Sequence, residues 1–273
     1  MGSGAKSFIR VAAFAVMALA FSGMHPAVAA NDRNWDRFSV QLSMFRPDIN
    51  TEVRLDPAFG PFGTALDFES DLGLQDSDDL WQLDARLRFS KRFALEASYF
   101  EIGRSGPSTL STNVDFGGTS FPVSADAETR FDTDILAASL RFSFIHTEWM
   151  ELAGSLGAYL MTVDAGIAVP ALALSESADV GVPLPLIGMD FRYNFIPKLA
   201  LNVRARYFGV EIEDIDGSLT NFNIGLQYDV FDFFGIGLGY ESFDFDVTSN
   251  NADFPGFLRF EYKGPKIFTT FQF

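Results

Sequence analysis

The sequence contains no cysteine and only two histidines. The absence of Cys excludes disulfides, thiolate catalysis, Cys-ligated zinc and iron–sulfur clusters. His25 lies in an N-terminal stretch that reads as a removable leader, so the working chain keeps His146 alone. One imidazole excludes most Ser–His, His–metal and His general-base chemistry. Positive charge is also scarce, with 20 Lys+Arg against 36 Asp+Glu. Without the leader's Lys6 and Arg10, 18 basic residues face the same 36 acids, a net charge of −18. A nucleic-acid partner is therefore excluded, because Lys and Arg must neutralise its phosphates. Long apolar runs are missing too. The run at 11–21 has 11 residues, whereas a membrane-spanning helix needs about 20. What the chain does have is 48% hydrophobic and 15% aromatic residues, too much apolar surface for a disordered chain.

The first 30 residues combine a basic start (Lys6, Arg10), the apolar run 11–21, and Pro26 followed by Ala27, Val28, Ala29 and Ala30. This is the pattern of a secretory signal peptide. Cleavage after Ala29 or Ala30 leaves a working domain at 31–273, destined for a place outside the cytoplasm.

In that domain the repeating signal has period two. Trp81, Leu83, Ala85, Leu87 and Phe89 fall on one face, and Gln82, Asp84, Arg86 and Arg88 on the other. Leu199, Leu201, Val203, Ala205 and Tyr207 oppose Asn202, Arg204 and Arg206; Phe222, Ile224, Leu226 and Tyr228 oppose Asn221, Asn223, Gln227 and Asp229. Strand side chains alternate between faces, so each segment is a strand with one apolar and one polar side. Ten segments read this way, at about 37–46, 80–90, 92–102, 132–145, 149–162, 184–195, 198–208, 218–230, 234–245 and 257–273. Connections near 90–92, 146–148, 196–198 and 231–233 are short. Those at about 47–79, 103–131, 163–183, 209–217 and 246–256 are mostly long and rich in Gly, Pro, Asp, Asn and Ser.

A soluble sandwich and a membrane barrel both alternate, and three features favour the barrel. Charges of opposite sign share the polar face. Aromatics gather in two belts, one near the short turns (Phe89, Phe93, Phe144, Trp149, Tyr193, Phe195, Tyr228, Phe231) and one nearer the long loops (Trp81, Tyr99, Tyr207, Tyr240), as at two membrane interfaces. The chain also closes on Phe271, Gln272 and Phe273. The expected fold is an all-β, transmembrane, antiparallel up-and-down β-barrel of about ten strands, with eight as the rival count, and with long extracellular loops. Hydrocarbon satisfies no backbone polar group, so the sheet must close on itself. Gly264 and Pro265 interrupt the last segment. Ile267, Phe271 and Phe273 share odd parity with Arg259, Glu261 and Lys263, and a β-bulge at Gly264–Pro265 is expected to resolve the conflict.

The polar face supplies twelve expected lumen-lining charges: Asp84, Arg86, Arg88, Glu96, Arg141, Glu151, Asp190, Arg192, Arg204, Arg206, Asp229 and Glu241. They either cross-link the lumen as a plug or line a narrow water path. Eight-stranded barrels are just filled by side chains, and open channels appear at about sixteen strands, which favours the plug. His146 is expected in a short periplasmic turn as a surface residue. Gly235, Gly237 and Gly239 lack the spacing and the following helix of a nucleotide loop, so no cofactor is expected; they read as inward positions of a strand, leaving room for neighbouring side chains. Acids crowd the loops: Asp67, Glu69 and Asp71; Asp76, Asp78 and Asp79; Glu211, Glu213, Asp214 and Asp216; Asp244, Asp246 and Asp253. A solvated anionic rim is the leading reading, with a weak divalent-cation site at Asp76, Asp78 and Asp79 as the rival.

The leader, the alternating strands, the turn–loop pattern and the terminal Phe273 together resemble the small outer-membrane β-barrel proteins of Gram-negative bacteria, broadly the class of outer membrane protein A and W barrels. The resemblance covers nearly all of 31–273. It implies an integral outer-membrane location, contact with outer-membrane lipid and lipopolysaccharide, and recognition of Phe271 and Phe273 by the barrel assembly machinery. The expected role is non-enzymatic, structural or surface-interacting through the acidic loops, with no surface ligand specified. The alternatives are a narrow porin-like channel and, weakest for want of His, an outer-membrane enzyme.

Overall fold

The computed structural model describes residues 36–56, 63–111, 113–116, 118–212, 215–250 and 255–273. The leader at 1–30 and the loop acids Glu213, Asp214 and Asp253 lie outside them. In chain order the strands are β1 (Phe38–Phe45), β2 (Asp48–Leu55), β3 (Leu66–Asp67), β4 (Leu80–Arg88), β5 (Phe93–Thr109), β6 (Val114–Phe116), β7 (Thr119–Phe121), β8 (Asp126–His146), β9 (Met150–Val169), β10 (Leu174–Ile196), β11 (Leu199–Ile212), β12 (Ile215–Phe231), β13 (Phe234–Ser249) and β14 (Gly256–Gln272). A 3₁₀ turn, Pro170–Leu172, joins β9 to β10.

Ten of these strands run in the order β1-β4-β5-β8-β9-β10-β11-β12-β13-β14, every pair antiparallel, and β1 pairs β14 to close the ring. Ten, not eight, is the strand count. The last Phe is tied into the seam: Phe273 N–H donates to Phe38 O at 2.8 Å, and Phe38 N–H to Phe273 O at 3.0 Å.

The expected bulge is absent. β14 keeps one register along its whole length against β13, from Phe234↔Phe271 to Ser249↔Gly256. On its other side Phe45↔Lys266 continues as Asp48↔Lys263 with two residues between on each strand. The parity conflict has a different physical solution. Odd residues of β14 face outward throughout; Ile267 and Phe271 meet lipid, while Arg259, Glu261 and Lys263 stand above it, in water. The environment changes along the strand and the parity does not.

The same inversion occurs on strand after strand. Outward along β8, Phe144, Phe142, Leu140, Ala138 and Leu136 give way to Asp134, Asp132, Arg130 and Glu128. Outward along β13, Ile236, Leu238 and Tyr240 give way to Ser242, Asp244 and Asp246. The inward face inverts in the opposite sense. On β13 the buried residues pass from Glu241 to Phe243 and Phe245, and on β5 from Glu96 to Phe100 and Ile102. The barrel therefore has two storeys. The lower is apolar outside and polar inside, and spans the membrane; the upper has the inside-out pattern of a soluble protein and stands clear of it. About nine to eleven residues per strand span the hydrocarbon. Most of the segments expected as loops at 103–131 and 163–183 are upper-storey strand, which alternates in the opposite polarity sense.

The upper storey is capped from within. The turn after β3 buries Phe68, Leu72 and Leu74, and the β6–β7 hairpin buries Val114, Phe116 and Phe121. Asp67 Oδ1 accepts from the Glu69 and Ser70 N–H groups at 3.0 and 2.7 Å, and Gly73, at φ +66°, takes a conformation that glycine adopts without a Cβ clash. The two caps are joined where Thr64 N–H donates to Asp115 O at 2.9 Å. The barrel wall is incomplete at this height: β10 pairs β11 only from Ile187↔Tyr207 downward, while Leu174 to Leu186 pair β9 alone. Pro183 and Pro185 sit on that free edge, where residues without an N–H are tolerated.

Candidate functional site: the charged lumen and its aromatic ceiling

All twelve charges singled out in the sequence lie on the inward parity of their strands. Nine form one network. Arg88 reaches Glu151 at 2.7 Å, and Glu151 reaches Arg141 at 3.3 Å. Arg141 and Arg86 bind Glu96 at 3.1 and 2.8 Å, and Arg206 joins Glu96 at 3.1 Å to Asp190 at 3.0 Å. Arg204 then links Asp190 at 3.3 Å with Asp84 at 3.2 Å. In the ring of ten, β4 is second and β11 seventh, so Arg204–Asp84 crosses the barrel from wall to wall. Arg192 lies 3.9 Å from Asp229, apart from this network. The network holds five arginines and four carboxylates; with Arg192, Asp229 and Glu241 the twelve-charge set is formally neutral. A charge removed from water must be paired, and the geometry supplies the partners.

Glu241 belongs to a separate cluster. Its carboxylate accepts from Lys266 Nζ at 2.7 Å, Asn223 Nδ2 at 2.8 Å, Asn221 Nδ2 at 3.0 Å and the Tyr262 hydroxyl at 3.2 Å. Lys266 was missed in the sequence because the assumed bulge obscured its even, inward parity. Asn221 and Asn223 stood on the correct polar face but carry no charge to mark them.

Glycines shape this interior. A Cβ on Gly188 would lie 2.5 Å from Arg206 Cδ and 2.6 Å from Ser155 Oγ, so the bare backbone is what lets Arg206 lie across β10 toward Asp190 and Glu96. Gly188→Ala is expected to displace the guanidinium and destabilise the barrel by about 1–3 kcal/mol. The loss should be non-additive with Arg206→Met when both are measured by denaturant unfolding. Gly237 has a parallel role: its Cβ would fall 2.2 Å from the Phe268 ring, which lies over the inward glycine track of β13.

His146 is not a surface turn residue. It ends β8, its side chain is 13% exposed, and Nδ1 lies 3.4 Å from Glu151 Oε1. The Ser143 hydroxyl donates to that same oxygen at 2.5 Å. Asp76, Asp78 and Asp79 do not converge into a metal cage; among the described residues no three His, Cys, Asp or Glu side chains do. Ser77 is bridged to Asp48, which holds the segment along β2, and Asp78 Oδ1 instead accepts from the Asp79 N–H at 2.8 Å.

Between the charges lies a cavity of about 130 Å³, lined by eleven of the twelve (Asp229 excepted) with Gln82, Tyr159, Asn221 and Phe243. Its ceiling is aromatic. Phe243 stacks on Tyr262 at 5.0 Å between centroids, and Phe100, Tyr159 and Phe260 surround Phe243 at 6.1–6.4 Å. Higher still, Phe131 contacts both Phe260 and Phe68 of the capping turn at 5.6 Å. Among the described residues one cation enters this layer: Arg104, 4% exposed, pairs Glu69, donates to the Gln75 carbonyl at 3.0 Å and to Thr51 Oγ1, and lies 5.4 Å over the Phe131 ring. It fastens the capping turn to the wall. Outside, the upper storey is anionic; burial and the neighbouring Glu261 and Asp246 carboxylates hold the Asp244 carboxyl above its usual range.

A closed ladder, an apolar outer band edged by aromatics and a polar interior are the marks of a barrel that spans a membrane with strands. The chain is an integral β-barrel of the outer-membrane type. No protein-family model matches the chain, and no curated protein matches it. Among solved structures it is similar to Ail, the attachment invasion locus protein of Yersinia pestis, in complex with the heparin analogue sucrose octasulfate, at 13% identity over 85% of this chain and 99% of that one, TM-score 0.39. It is similar to the translocator domain of the autotransporter NalP from Neisseria meningitidis at 10% identity over 99% and 97%, TM-score 0.45. It is also similar to the outer membrane protein OprG from Pseudomonas aeruginosa at 10% identity over 86% and 95%, TM-score 0.33. At such scores the assignment of this barrel rests on its own ladder and lipid-facing band.

Proposed function

We propose that this protein is a non-enzymatic, non-conducting barrel of the outer membrane that holds a rigid anionic platform above the lipid. The observation that carries this reading is the pair of obstructions in series: a cross-linked salt-bridge mesh in the lower storey and an apolar core in the upper. An ion leaving the mesh would have to shed its water against Phe100, Phe243 and Tyr262, and desolvating a charge without partners is strongly unfavourable. The acids on the outward faces of β8, β9 and β13 supply the platform, and the sheets beneath make it stiff. The carboxylate beside the half-buried His146 is already held by Arg88 and Arg141, a structural engagement that fits the non-enzymatic reading. Retention of Phe271 and Phe273 at the closing seam fits a role as the signal read during barrel assembly, with lipid and lipopolysaccharide as neighbours afterwards.

Planar-bilayer recording of residues 31–273, with folded protein verified in the bilayer, tests this. The expected result is no discrete conductance steps at moderate voltage. Reproducible steps in the unmodified protein would favour the narrow-channel alternative, and their ion selectivity would then be traced by neutralising Arg204 and Arg206.

A further inference from the structure

Charge is spread unevenly around the short-turn end of the barrel. The turns after β8, β10 and β12 carry Glu148, Lys198 and Asp232 respectively. The turn between β4 and β5 reads Phe89-Ser90-Lys91-Arg92-Phe93, with two cations and no acid. Arg37, at the foot of β1, adds a third cation beside β4, where the Arg88 N–H donates to Arg37 O at 2.7 Å. On the other side the Ser143 N–H donates to Arg92 O at 2.7 Å, so the turn abuts β8. The foot of β8, from Ser139 to Thr147, also holds no acid. Arg37, Lys91 and Arg92 are all exposed. Asp36, next to Arg37 in sequence, lines the lumen chamber instead. Among the described residues no carboxylate pairs Arg37 or Arg92. In a chain with 36 acids against 20 Lys+Arg, such a sector is the exception.

The same sector presents a row of rings to the lipid. Phe89 and Phe93 stack at 6.1 Å between centroids, Phe93 meets Phe142 at 5.0 Å, and Phe142 meets Phe144 at 5.3 Å. Phe89 is 62% and Phe144 54% exposed. Deeper in the membrane Leu87, Leu95 and Leu140 stand opposite one another, and beyond them Ala85, Ala97 and Ala138, where the wall recedes. A soluble acidic partner would meet the cations but not the rings, which lie in the lipid band. A lipid meets both, because aromatics and cations sit together at the headgroup level. The charge of the headgroup follows from the missing acids. A zwitterionic headgroup brings an amine that three cations repel and no carboxylate receives. A headgroup with net negative charge brings only the phosphate that Lys and Arg attract.

We propose that the foot of β1, β4, β5 and β8 binds an anionic phospholipid of the leaflet in which it stands, its phosphate held by Arg37, Lys91 and Arg92 and its first methylenes on the phenylalanine row. The site lies on the outer wall and is independent of whether the lumen conducts.

Tryptophan quenching by brominated lipid tests this. In the full working chain Trp35→Phe, Trp81→Phe and Trp149→Phe remove every native indole. Phe89→Trp then places a reporter in the sector, and Phe231→Trp, beside Asp232, places one outside it. Each protein is folded into phosphatidylcholine vesicles containing increasing mole fractions of brominated phosphatidylglycerol, or of brominated phosphatidylcholine. The expected result is a relative binding constant favouring phosphatidylglycerol about fivefold or more at position 89, and a ratio of about one at position 231. Arg37→Gln/Lys91→Gln/Arg92→Gln should bring the ratio at position 89 to about one, and raised salt should lower it in the parent. A ratio near one at position 89 in the parent, or one that the triple variant leaves unchanged, would overturn the proposal. Equal preference at both reporters would overturn it too, since the attraction would then be diffuse. If the triple variant fails to fold, Arg92→Gln alone is read, and an unchanged ratio there together with insensitivity to salt is equally contrary.

Discussion

Glu151→Gln is expected to destabilise the barrel by about 3–5 kcal/mol, the range for removing one partner of a buried ion pair. Glu151 holds Arg88 at 2.7 Å and Arg141 at 3.3 Å, and all three side chains are 2–3% exposed. The neutral amide keeps the shape and leaves two guanidiniums facing each other without the carboxylate between them. Denaturant unfolding of protein reconstituted in vesicles, followed by the migration shift of folded against unfolded barrel, reads the loss. Glu128→Gln, on the exposed outward face of the same hairpin, should change stability by less than about 0.5 kcal/mol. Replacing Arg88, Glu151 and Arg141 together by Met, Leu and Met should cost much less than Glu151→Gln alone, because no charge is then left unpaired. Equal losses for the single and triple variants would mean that the carboxylate acts by packing and not by charge.

Phe243→Ala should destabilise by about 3–5 kcal/mol, as expected for deleting a large aromatic from a packed interior. Phe243 is 1% exposed and touches Tyr262 and Phe260 of the neighbouring β14, Phe100 of β5 and Tyr159 of β9. It also forms the ceiling of the charged cavity. Removing it therefore has a second expected effect: the lower chamber gains a route into the cap, and bilayer recordings should show brief openings absent from the parent. A stability loss with no openings would mean that the layers above, around Phe131 and Phe260, seal the path by themselves.

Much of this molecule is legible in its sequence, for a reason visible on β4. Trp81, Leu83, Ala85 and Leu87 against Gln82, Asp84, Arg86 and Arg88 is a period-two pattern that no helix satisfies, and parity alone sends each charge inward. The inward side of the lumen and a count of about ten strands, with eight as the rival, follow from that rule; closure follows from the need to satisfy every backbone polar group in hydrocarbon. Pairing does not follow. Arg204 and Asp84 are 120 residues apart, and only the closed ring brings β4 and β11 face to face. The upper storey was hidden for a different reason. Above the membrane the solvent outside changes from lipid to water, so Leu258, Phe260 and Tyr262 take the inward positions while Arg259, Glu261 and Lys263 take the outward ones. Read with the membrane rule, that alternation demands a bulge or a loop; read with the rule for soluble sheets, it is an ordinary strand. The capping turn escaped for want of any periodicity, although Phe68, Leu72 and Leu74 among acids at 67–79 are apolar residues too costly to leave in water.

The central claim is that solvent exposure inverts along single continuous strands, and β8 tests it most directly. The chain has no cysteine, so single cysteines can be placed along β8 without a background. A water-soluble maleimide is expected to label Glu128→Cys and Arg130→Cys. A lipid-soluble reagent should label Ala138→Cys, Leu140→Cys and Phe144→Cys. Neither should reach Thr129→Cys, Thr133→Cys or Ile135→Cys in the folded barrel, since those side chains lie in the apolar cap. Rapid labelling of 129, 133 and 135 from water would mean an open, hydrated lumen through the upper storey and would contradict the account.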